Sequence, residues 1–181
     1  MKGEAKLSAL WQTTAMIRRR ILGLAVITLL GVALILPQGA VAEGVMHSAT
    51  GSGQLHVTAD TNLRTVGFSA VMLADGSVKG YAEAQPRQEG NRWRIDVNCL
   101  KVVGNVALIT GLTIYNEIDP SMIGWTGGFA VEDNGQGPDD PPDRITQGFF
   151  FAPGTVDCND FGPADAEPFF WIVEDGNLQV R

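Results

Sequence analysis

The sequence predicts an all-β domain: an antiparallel meander closing into a barrel, with a β-sandwich as the alternative and an N-terminal signal helix ahead of it. Three observations predict this. Apolar and polar residues alternate with period two through most of the chain after residue 53. Gly- and Asn-containing turns punctuate the alternation at hairpin spacing. Beyond residue 42 no segment sustains a helical repeat.

The first element is expected to be an export signal over Met1–Ala42. Arg18-Arg19-Arg20 supplies its basic end, Ile21 to Leu36 its apolar run, and Pro37 the break. Ala40-Val41-Ala42 gives the small-x-small pattern read by a signal peptidase, so cleavage is expected between Ala42 and Glu43. The run of 16 residues falls short of the roughly 20 that span a bilayer. An uncleaved anchor through residues 21–36 is the alternative, and membrane contact is expected only in that case. Met16 followed by the arginines gives a signal of conventional dimensions, so translation is expected to begin there. The expected location is secreted or periplasmic.

Removing residues 1–42 takes away five basic residues and one acid. From totals of 13 and 20 this leaves 8 and 19, a net charge of −11 on 139 residues. That is the size of one domain. So acidic a chain repels phosphate backbones and anionic lipid, which argues against nucleic acid as a partner. An unknown protein or a small ligand is expected instead. Cys99 and Cys158 both lie in this part, and in an oxidising compartment two cysteines pair as one disulfide.

Residues 43–53 read as a flexible leader, and the β domain is expected over 54–181. Gln54–Ala59 opens it, followed by Leu63–Leu73 and Val78–Gln85 joined through Asp75-Gly76. In Arg92–Leu100, Trp93, Ile95, Val97 and Cys99 fall on one face and Arg92, Arg94, Asp96 and Asn98 on the other. Val103-Gly104-Asn105 then turns the chain into Val106–Tyr115. Asp119-Pro120 is suited to start one helical turn. Gly127–Glu132 and Arg144–Phe151 read as strands on either side of a Gly/Pro/Asp loop. Phe169–Val173 and Leu178–Arg181 read as a hairpin across Asp175-Gly176-Asn177.

Catalytic signatures are missing. His47 and His56 are the two histidines, Ser52 in Gly51-Ser52-Gly53 lacks the nucleophile-elbow spacing, and no zinc or nucleotide motif occurs. No catalytic residue and no cofactor is therefore assigned. The best metal candidate is the loop 132–143, where Asp133, Asn134, Asp139, Asp140 and Asp143 offer hard oxygens of the kind calcium takes. The same residues suit a solvated turn that caps its own backbone. Phe149-Phe150-Phe151 and Phe169-Phe170-Trp171 put aromatic surface on both faces of their strands, available for burial or for binding.

Several short motifs occur together: Asp75-Gly76-Ser77-Val78-Lys79-Gly80, Cys99 ahead of Val103-Gly104-Asn105-Val106-Ala107, Asp133-Asn134-Gly135, Pro141-Pro142-Asp143-Arg144-Ile145, and Gly176-Asn177-Leu178-Gln179-Val180. As a set they resemble a group of uncharacterised secreted bacterial β-rich proteins with no assigned activity. The resemblance covers roughly Gly51 to Arg181. It implies export and a β domain, and it supplies no catalytic residue.

The leading functional expectation is a noncatalytic binding or structural module. The alternatives are an enzyme acting on a small or carbohydrate substrate through a carboxylate pair, and a calcium-stabilised envelope or adhesion component. A filled, apolar barrel interior favours the module, while two buried acids in one pocket favour the enzyme.

Overall fold

The computed structural model describes residues 44–57, 62–87 and 92–181. The expected signal, its start at Met16, the apolar run 21–36 and cleavage after Ala42 lie outside the described residues. Among the described residues no helix is long and apolar enough to cross a membrane.

The fold is all-β. Ten strands form one antiparallel sheet: β1 Val45–His56, β2 Leu63–Leu73, β3 Val78–Pro86, β4 Trp93–Val103, β5 Val106–Asn116, β6 Thr126–Glu132, β7 Arg144–Thr146, β8 Phe149–Phe151, β9 Phe170–Ile172 and β10 Asp175–Val180. Their spatial order is β10-β1-β2-β3-β4-β5-β6-β7-β9, with β8 also alongside β6. From β1 to β7 each strand pairs with the next, as a meander requires. Local turn chemistry sets the first hairpins. Asp75 Oδ1 accepts the Ser77 amide at 2.8 Å and Leu73 N–H reaches the Ser77 carbonyl at 2.9 Å, closing the β2–β3 turn. Asp119 caps the single 3-10 turn Pro120–Met122 by accepting from Ser121 N–H.

The sheet curls into a half-barrel with its apolar faces inward. Ile95, Leu100, Ile109, Val131, Ile145 and Leu178 are almost wholly buried there. Trp93 and Phe129 stack at a centroid distance of 6.2 Å within the same cluster.

One terminal segment links the two sides of the curl. β9 pairs with β7, and the chain then runs on as β10 to pair with β1. At the crossing, Val173 N–H reaches the Asp143 carbonyl and Glu174 N–H the Gln54 carbonyl, each at 2.8 Å. Beyond it, the outward amides of β10 have no strand to face, and two carboxylates take its place. Asp143 Oδ2 accepts Leu178 N–H at 2.8 Å, and Asp133 Oδ2 accepts Val180 N–H at 2.9 Å. A buried N–H must find an acceptor, and here side chains supply it.

This seam corrects two expectations. Of the expected flexible leader 43–53, residues 45–53 lie in β1, which begins at Val45 and pairs with both β2 and β10. The small residues there serve close packing: a Cβ on Gly51 would lie 2.6 Å from the Asn177 carbonyl oxygen, and one on Gly53 2.6 Å from Val173 Cγ1. Asp175-Gly176-Asn177 is not a hairpin turn either. It sits inside β10, opposite Gln54, Gly53 and Ser52, since pairing with β1 overrides the local turn signal.

Two further differences concern phase. Arg144–Phe151 is not one strand: β7 and β8 both pair with β6 and are separated by Gln147-Gly148. Gly148 lies against the Trp93 ring, where a Cβ would be 2.9 Å from Cζ2. Cys99 does not share the inner face of Trp93, Ile95 and Val97. A bulge between Val97 and Cys99 places one extra residue, Asn98, on β4 and turns Cys99 outward, while Leu100 returns to the core.

Candidate functional site

The outward turn of Cys99 builds the site. Cys99 bonds to Cys158, with a Cα–Cα distance of 5.8 Å, and so pins the segment 152–169 over the convex face of β5 and β6. That segment folds locally as a 3-10 turn Cys158–Asp160, a short helix Pro163–Ala166 and a second 3-10 turn Glu167–Phe169. Asp157 caps the first turn by accepting Asn159 N–H at 2.7 Å, and Pro163 opens the helix where its missing N–H costs nothing. A second small core forms beneath this flap from Leu108, Ala130, Cys158 and Ala166.

Two cations fasten the flap besides the disulfide. Lys101 Nζ donates to the carbonyls of Phe161 at 2.5 Å and Asn159 at 3.3 Å. Arg144 donates to Glu167 through two nitrogens at 2.9 and 3.0 Å, hydrogen-bonds Glu132 through Nε, and lies 4.8 Å from the Phe170 ring centroid. The Arg144 hydrogen bond holds the Glu132 carboxyl below the usual glutamate range against the opposing effect of burial. Both glutamates in turn push the Arg144 guanidinium further up.

Between flap and sheet lies a cavity of about 310 Å³. Leu108, Thr110, Gly128 and Ala130 floor it from β5 and β6. Phe149, Phe151, Phe161 and Phe169 wall it. The rings pack edge to face or tilted, Phe149 on Phe169 at 5.2 Å and Phe151 on Phe161 at 5.6 Å. The middle residue of the Phe triplet points the other way, onto Trp93 at 6.1 Å. Polar capacity is sparse. Thr146 Oγ1 accepts Ala130 N–H and donates to the Gln147 carbonyl, whereas buried Thr110 Oγ1 has no hydrogen-bond partner. Of the lining residues, Asp165 and Phe169 are exposed.

Four of the five metal candidates hydrogen-bond within the chain. Asp143 Oδ1 accepts Asn134 N–H at 2.9 Å while its Oδ2 holds Leu178, and Asp133 Oδ1 accepts Gly135 N–H at 3.0 Å. Asn134 Nδ2 donates to the Pro142 carbonyl and to Glu132. Asp140 Oδ2 accepts Gly137 N–H at 2.6 Å, and Asp139 is exposed. The structure thus brings Asp133, Asn134 and Asp143 together at the seam and leaves Asp139 and Asp140 on the loop outside it. Among the described residues, ligand atoms of three His, Cys, Asp or Glu side chains converge within 4.8 Å at Cys99, Asp157 and Cys158, where the disulfide occupies both sulfurs.

His56 forms a surface pair with Glu174, Nδ1 lying 2.8 and 2.9 Å from its two oxygens, and His47 and Ser52 sit on β1 away from the cavity lining. The His56 hydrogen bond holds Glu174 below the usual range. Among the described residues the buried carboxylate is Asp143. The flap residues Phe161 and Asp165 and the floor residues Leu108 and Thr110 escaped the sequence reading. A signal existed: Val106–Thr110 breaks the period-two alternation with a run buried on both faces, which requires a second covering layer. No known protein family, curated protein or solved structure matches this chain.

Proposed function

We propose that this chain is an exported binding module that holds a small apolar ligand in the cavity beneath its disulfide-tethered flap. The observation that carries the reading is the cavity itself, about 310 Å³ of space walled by four phenylalanines and floored by aliphatic carbon. It matches the concave, mostly apolar character of small-molecule sites and is about twice the roughly 150 Å³ that takes up benzene. The interior of the curl supports a module over a carboxylate-pair enzyme, since its cluster is apolar and Asp143 is spent on backbone amides. The disulfide suits an extracytoplasmic location.

The test is titration with N-phenyl-1-naphthylamine, a neutral probe that fluoresces in apolar surroundings. The expected result is saturable enhancement at one probe per chain, lost in Ala166→Phe, whose ring fills the cavity. Reducing the disulfide frees the flap and is expected to weaken binding as well. No enhancement by the oxidised protein, or equal enhancement by Ala166→Phe folded to the same extent, overturns the reading.

A further inference from the structure

Resting on that cavity reading, we infer that the ligand is an organic cation: an amine or quaternary ammonium whose apolar body fills the cavity and whose charged head sits at the mouth. The charge around the opening argues for this sign. The flap segment 152–169 carries Asp157, Asp160, Asp165 and Glu167 and no lysine or arginine. Of the two cations beside it, Arg144 is paired with Glu132 and Glu167, and Lys101, held by flap carbonyls, leaves the acids in excess. Asp165 is the one charged residue lining the cavity, and it is exposed at the opening.

Its Oδ2 accepts Gly162 N–H at 2.8 Å, which fixes the carboxylate at the start of the helix Pro163–Ala166. The ring of Phe169, 43% exposed, flanks the same opening and stacks edge to face on Phe149. A carboxylate beside phenylalanine faces is the chemistry that selects a poorly hydrated cation over a neutral group or an anion. The net charge of −11 beyond residue 42 extends the preference into solution by concentrating cations around the protein. A carboxylate-headed amphiphile of the same shape meets repulsion at the same place.

The volume sets the body. Twice the space that holds benzene suits a two-ring skeleton. The experiment therefore compares biphenyl-4-methanol, (biphenyl-4-yl)methyl-trimethylammonium and biphenyl-4-carboxylate by calorimetric titration of the full, oxidised chain. The ammonium is expected to bind about 3- to 30-fold more tightly than the alcohol, with the carboxylate weakest. The ammonium advantage is expected to shrink as salt rises. Asp165→Asn keeps an oxygen for Gly162 N–H while removing the charge. It is expected to lower the ammonium-to-alcohol ratio several-fold and leave the alcohol unchanged. If all three bind alike, or the ratio survives Asp165→Asn, the charge selection is overturned and the cavity reading stands. If none binds, both fall.

Discussion

Replacing Asp143 by alanine is the perturbation that probes the seam most directly. The Asp143 side chain is buried, its residue only 8% exposed, and each carboxylate oxygen serves one backbone amide: Leu178 N–H at 2.8 Å and Asn134 N–H at 2.9 Å. Leu178 is itself 1% exposed, so its orphaned amide cannot turn to water. A buried donor left unpaired costs about 1–3 kcal/mol, and hydrogen bonds to a charged acceptor contribute about 1.5–3 kcal/mol. Adding the partly buried Asn134 amide gives an expected loss of about 3–5 kcal/mol. That is a large share of the 5–15 kcal/mol typical of a domain. At about 3–5 °C per kcal/mol for this size, Tm should fall by roughly 10–20 °C.

The assay is urea unfolding of the oxidised protein beside Asp143→Asn and Asp139→Ala. Asparagine keeps one acceptor oxygen but turns an NH2 toward an amide donor, so it should lie between wild type and alanine. Exposed Asp139→Ala should stay within about 0.5 kcal/mol of wild type. Hydrogen exchange adds a local reading: the Leu178 amide should lose protection before its neighbours in β10. An Asp143→Ala loss below about 1 kcal/mol, with Leu178 still protected, would falsify the idea that carboxylates hold this edge.

Two further outcomes follow from the interior and the flap. Thr113 is fully buried and its Oγ1 has no hydrogen-bond partner, so Thr113→Val, which keeps the shape, should stabilise by about 1 kcal/mol, read as a higher urea midpoint at unchanged slope. Glu132, 14% exposed at its side chain, is held below the ordinary glutamate value of about 4.3 by Arg144. A depressed folded value stabilises the fold above the unfolded value, and the stabilisation disappears as pH falls through the folded one. Glu132→Gln should therefore flatten the loss of stability below about pH 4, and an unchanged acid limb would count against the pair.

Much of the fold is legible in local sequence. The alternation of Trp93, Ile95 and Val97, and the turns at Asp75-Gly76 and Gly104-Asn105, identify β2 to β5 without reference to anything distant. The compartment argument for Cys99 and Cys158 likewise needs only two cysteines and the expectation of export. The candidate site was much less legible. The Phe149–Phe151 triplet announced aromatic surface on both faces, but nothing local shows that residues 152–169 fold back over β5 and β6 to cover one of them.

The sequence by itself determined that this is a β chain, where β2 to β5 lie and which cysteines pair. Only the tertiary structure decided which way Cys99 faces, what Asp133 and Asp143 do, and that a cavity lies beneath the flap. The reason is range. Alternation and turn chemistry act between residues a few positions apart, so a single chain displays them. The bulge at Asn98 exists only in the register of β4 on β5. Asp143 meets Leu178 across 35 positions of sequence, because closing the curl leaves that amide without a strand. Two residues of the loop that reads as a set of calcium oxygens, Asp133 and Asp143, are, once folded, the edge that receives β10.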